Sequence, residues 1–75
     1  MTKKKELKKS IEASRAEIDN LTYKLQRSMV AIIEAIVENR KPSDKDIEYF
    51  KTFSALIDVE RANLQKLTEQ LATLN

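Results

Sequence analysis

No glycine interrupts the seventy-five residues of this chain, and its one proline, Pro42, stands just past the midpoint. Proline lacks the amide proton a helix interior needs and disfavours helix in the residue before it, so a helix arriving at Lys41 has to stop. Directly afterwards come Ser43, Asp44 and Asp46. A serine can accept from the free amides that open a helix, and carboxylates in the first turn suit the positive end of the helix dipole. Asp46 stands where it can imitate the glutamate of a capping box. One helix ends and another begins around residues 40–43, and Arg40 and Lys41 supply the cations that a helix C-terminus prefers.

The apolar residues agree with two helices. Before the proline, Leu7, Ile11, Ile18, Leu21, Leu25, Met29, Ile32 and Ile36 recur at intervals of three, four or seven. After it, Ile47, Phe50, Phe53, Ile57, Leu64, Leu67, Leu71 and Leu74 keep a similar period. At about 100° per residue each set forms one stripe along a helix face, and neither half alternates as a half-buried strand does. Folding the chain back on itself places Ile36 against Ile47, Ile33 against Phe50, Met29 against Phe53 and Leu25 against Ile57. Further from the turn it sets Ile18 against Leu64, Ile11 against Leu71 and Leu7 against Leu74. The expectation is one all-α domain over residues 1–75. It is an antiparallel, coiled-coil-like two-helix hairpin with helices near 4–40 and 44–73 and a turn at 40–43.

A chain this short buries little apolar surface unless it is stapled or associates. It has neither cysteine nor histidine, so no disulfide or common zinc site can hold it. The apolar stripe is narrow from Leu7 to Leu25 and then widens, because Val30, Ile33 and Val37 add a flank to Met29, Ile32 and Ile36. On the second helix Tyr49 and Leu56 do the same beside Ile47, Phe50, Phe53 and Ile57. Two helices cannot cover so wide a surface, and patches of this kind mark contacts. The expected contact surface comprises Met29, Val30, Ile33, Ile36, Val37, Tyr49, Phe50, Phe53 and Leu56. A second copy would cover it by forming a homodimeric four-helix bundle, and a larger protein partner is the other candidate.

Two polar features stand apart. Glu60 and Arg61 interrupt the second stripe between Ile57 and Leu64, opposite Leu21, Thr22 and Tyr23 in the expected register. Glu60 reads as a buried carboxylate that binds a partner cation, as part of a polar layer that fixes register, or as a side chain leaning out to water or to a lysine such as Lys24. At the other extreme, Lys3, Lys4, Lys5, Lys8 and Lys9 stand against Glu6 alone, giving the first nine residues +4 in a chain of net +2. Clustered lysines can neutralise phosphates, although no aromatic interleaving or base-reading arginine accompanies these five.

Catalysis has little to work with. Carboxylate pairs such as Glu34 and Glu38 are inevitable on solvated helices, but acid–base chemistry needs a concave site, and no histidine or cysteine can assist a nucleophile. No enzyme activity, cofactor, metal or small-molecule substrate is expected. No apolar run approaches the roughly 20 residues of a membrane span, and no signal-peptide core follows the lysines, so a cytoplasmic protein is expected.

The stretch Ala16-Glu17-Ile18-Asp19-Asn20-Leu21 is similar to helices of the sporulation-phosphatase hairpins and of helical chorismate mutases. The Ser-Gln-Glu-Leu-Asp signature of the former is missing from the second helix, and the active-site arginine and lysine set of the latter has no counterpart. The expected architecture resembles the plasmid RNA-binding Rop type in layout alone, and no family is assigned. The functional expectation is a non-catalytic interaction or regulatory protein of bacterial or phage kind, docking helix to helix on a larger protein. The alternatives are a nucleic-acid-binding accessory protein and a phage-type assembly factor.

Overall fold

The structure is a computed structural model that describes residues 2–74, so Met1 and Asn75 of the expected 1–75 domain lie outside the described residues. Two helices account for nearly all of it: α1, Thr2–Val37, and α2, Asp44–Thr73. They pack antiparallel into a rod 57 Å long and about 15 Å across. At 1.5 Å per residue the 36 residues of α1 by themselves span about 54 Å, so the first helix sets the length of the molecule.

The start of α2 follows from local chemistry. Ser43 has the extended backbone of an N-cap, and its hydroxyl accepts from the Asp46 amide at 3.1 Å. Asp44 and Asp46 occupy the first turn, as the helix dipole favours.

The end of α1 corrects the expectation. The helix stops at Val37 rather than near residue 40, and its last turn contains no basic residue. The stop signal is Asn39, whose φ of 63° puts it in the left-handed region. Asparagine tolerates that conformation better than most residues. The Asn39 amide donates to the Ile36 carbonyl at 3.0 Å and the Arg40 amide to the Ala35 carbonyl at 2.7 Å. These two bonds are the Schellman pattern, which satisfies carbonyls that a helix end leaves free. Arg40 thus helps to close α1 through its backbone. Its guanidinium instead pairs with Glu38 at 2.7 Å on the surface, where such a pair adds little.

The seam between the helices has a coiled-coil repeat. On α1 the most enclosed residues are Ser14, Leu21, Ser28 and Ala35, each seven after the last. Half-buried Ile11, Ile18, Leu25 and Ile32 alternate with them. On α2 the matching row is Phe50, Phe53, Ile57, Glu60, Leu64, Leu67 and Leu71, with Ile57 the most enclosed. This spacing of alternating threes and fours keeps one line of residues facing the partner helix along the rod. Ser28 bears a hydroxyl into the seam without an unmet bond, because it donates to the Leu25 carbonyl at 2.9 Å.

That repeat overturns the expected facing pairs near the turn. Once Leu21 and Leu25 face inward, continuity of the repeat brings Ser28, Ile32 and Ala35 inward as well. Met29, Ile33 and Ile36 are then turned about 100° away from the seam, a one-residue step on the helix. They are accordingly 40, 51 and 61 % exposed. The register differs too. Lys24 stands over the Phe53 ring at 6.0 Å, where Met29 was expected. Ser14 bonds Glu60, where Leu21, Thr22 and Tyr23 were expected. Because α1 ends three residues early, each α2 residue lies opposite an earlier part of α1 than a fold centred on Pro42 implies.

Candidate interaction surface

Near the turn, α1 carries apolar side chains that the seam does not use. Met29, Val30, Ile33, Ile36 and Val37 are all exposed, Val37 to 78 %. Tyr23, two turns before Val30 on the same side, is also exposed. On α2, Tyr49, Leu56 and Val59 are exposed. Phe50 and Phe53 are half-buried along the seam, with Phe53 stacked against Tyr49 at a ring separation of 5.9 Å.

These residues do not make one continuous surface. On α1, Lys24, Arg27 and Ala31 share one flank by their three- and four-residue spacing, and Met29, Ile33 and Ile36 share the other. The groove beside Tyr49 and Phe53 is lined on the α1 side by Lys24, Arg27, Ser28 and Ala31. The α2 patch of Tyr49, Phe53 and Leu56 therefore opens on the Lys24–Arg27 side of the rod. The α1 patch opens on the opposite side and around the back. The hairpin has two apolar faces, where sequence spacing read one.

Tyr23 and Val59 were not singled out from the sequence. A signal for Tyr23 exists in its seven-residue spacing from Val30 and Val37, which forms a second stripe on the back of α1. Arg27 flanks that stripe, its guanidinium 5.9 Å from the centre of the Tyr23 ring.

Glu60 occupies the seam as a polar layer. Ser14 donates to its carboxylate at 2.6 Å across the two helices, and Asn63 donates to the same oxygen at 2.9 Å from one turn along α2. The Ser14 bond first, and the Asn63 bond second, hold the Glu60 carboxyl below its ordinary value, against a smaller opposing effect of burial. Arg61 points to solvent. At the far end of the rod Lys3, Lys4, Lys5, Lys8 and Lys9 are all exposed on α1, whose first turn contains no acidic residue.

Open grooves run along the back of α1, lined by Tyr23, Gln26, Arg27, Val30, Ala31 and Glu34, and between the two helices. Among the described residues no cluster of three or more potential ligands could hold a metal ion. Among them, too, no helix is long and apolar enough to cross a membrane. No protein family, curated protein or solved structure matches this chain.

Proposed function

We propose that this protein is a non-catalytic interaction module that works by helix-to-helix docking at the half of the hairpin nearest its turn. One observation carries the reading. Met29, Val30, Ile33, Ile36 and Val37 stay exposed on a regular helix whose packing against α2 needs none of them. Water-exposed apolar patches of this extent are contact surfaces far more often than idle ones.

The two faces divide the work. The α1 face takes a second hairpin, so that the two copies join through their first helices near the turns as a homodimer. The α2 face of Tyr49, Phe53 and Leu56, rimmed by Lys24, remains open for a larger protein partner. Two substitutions separate these roles. Val30→Asp should dissociate the dimer and leave helix content unchanged, as read by sedimentation and far-ultraviolet circular dichroism. Leu56→Asp should leave the dimer intact and abolish capture of the partner from the native host. Loss of neither property on either substitution would remove the reading.

The basic end of α1 supports a second reading, a nucleic-acid-binding accessory function. Five exposed lysines gather where the helix dipole already disfavours positive charge, and phosphate would relieve that repulsion. Binding to generic DNA or RNA should then weaken steeply with salt and disappear when the five lysines become glutamine. Absence of binding at low salt would exclude it.

A further inference from the structure

We propose that a second copy of the chain packs antiparallel along the back of α1, in a register set by Arg27 and Glu34; this rests on the self-association put forward above. The back of α1 repeats the pattern of its seam. Tyr23, Val30 and Val37 each come two residues after a buried one, Leu21, Ser28 and Ala35, and so lie about 200° around the helix from it. Gln26 and Ile33 fall between them at the alternating intervals of a coiled coil. The stripe is open along its length, with Tyr23, Val30, Ile33 and Val37 exposed by 59, 50, 51 and 78 %. An aromatic side chain such as Tyr23 presents on the order of 150–250 Å², and the aliphatic ones less. With Met29 and Ile36 beside them, several hundred Å² per copy is available, approaching the roughly 800 Å² per partner of a standard interface.

The occupant follows from the charges that edge this stripe. Arg27 and Glu34 lie on one side of it, seven residues apart, and Met29 and Ile36 lie on the other. In an antiparallel pair of helices like edges meet like edges. Arg27 then faces Glu34 of the second copy, Glu34 faces its Arg27, and Met29 meets Ile36 on the other side. The same register sets Val30 against Ile33 across the two-fold axis and Gln26 against Val37. Sliding by one heptad brings Arg27 against Arg27, and a parallel arrangement sets the charged edge against Met29 and Ile36. Both alternatives lose the complementarity, which fixes orientation and register together. The interface repeats itself by two-fold symmetry, so it closes as a dimer and does not propagate.

The chain has no cysteine, so introduced thiols report without background. Gln26→Cys and Val37→Cys change exposed positions and should leave the hairpin folded. Mixed and mildly oxidised with glutathione disulfide, the two proteins should cross-link to each other. Neither should cross-link to itself, because like positions are separated by eleven residues, about 16 Å of helix rise, against the roughly 3.5–4.5 Å between Cβ atoms in a disulfide. Arg27→Glu should raise the dimer dissociation constant about tenfold, and adding Glu34→Arg should restore it. Self-cross-linking of each single variant would overturn the antiparallel arrangement. A dimer by sedimentation that gives no cross-link in the mixture would place the interface elsewhere while self-association stands. A monomeric wild-type protein would remove both.

Discussion

Ile57 offers the most direct probe of what holds the hairpin together. It and Leu21 are the only large hydrophobic side chains among the described residues that are nearly enclosed, Ile57 to 7 % exposure. Replacing Ile57 with alanine removes three carbon atoms, worth about 0.8 kcal/mol each by transfer from water. Cavity formation raises such losses to about 2–5 kcal/mol in closed cores, but this seam is open on both sides and its neighbours can relax into the gap. The expected loss is about 2–3 kcal/mol. Because a core in a chain of this size rarely supplies more than about 3–5 kcal/mol, that loss removes much of the stability. The assay is urea unfolding followed by circular dichroism at one fixed protein concentration, since association would make the midpoint concentration-dependent. Val59→Ala is the control: Val59 is 68 % exposed and two residues away on the same helix. Its change should stay within about 0.5 kcal/mol. Equal losses for the two variants would refute the assignment of Ile57 to the seam.

The Glu60 layer should make stability depend on acid. Its carboxyl is held low chiefly by the Ser14 bond, so in the folded state it gives up its proton at a lower pH than when unfolded. That contribution is fully present above the ordinary carboxylate range and is lost as pH falls through the lowered folded value. Ser14→Ala should reduce stability near neutrality and flatten the acid limb of the pH profile, whereas unchanged acid dependence would mean that the bond contributes nothing. At the turn, Asn39→Ala should cost about 1 kcal/mol because alanine resists the left-handed conformation that Asn39 holds at φ 63°. Asn39→Gly should be neutral within about 0.5 kcal/mol, its relief of strain offset by a freer unfolded chain. Thermal melts of the two variants check that difference.

The hairpin was legible in the sequence because its signals are local. Ser43 and Asp46 mark the first turn of α2 by a bond between neighbours, and that boundary falls at Asp44 as spacing implies. The end of α1 was harder, since Pro42 is the louder signal and Asn39 acts through a backbone conformation that its identity only permits. The seam near the turn was obscured for another reason. Hydrophobicity favours Met29 over Ser28 and Ile36 over Ala35, but the repeat continuing from Leu21 decides which of them faces inward. The small residues then let the helices approach, and the large ones are left outside. An excess of apolar surface in this half was readable from composition, while its division into two faces required the rotation of α1 about its seam. Glu60 looked out of place because its partner, Ser14, is brought opposite only by the observed register.

Sedimentation equilibrium of the intact protein tests most directly whether the exposed half of α1 is a contact surface. A single species of twice the chain mass of 8.7 kDa is expected at micromolar concentration, converted to one chain mass by Val30→Asp with helix content retained. A wild-type protein that sediments at 8.7 kDa over the same range, fully helical, would contradict it.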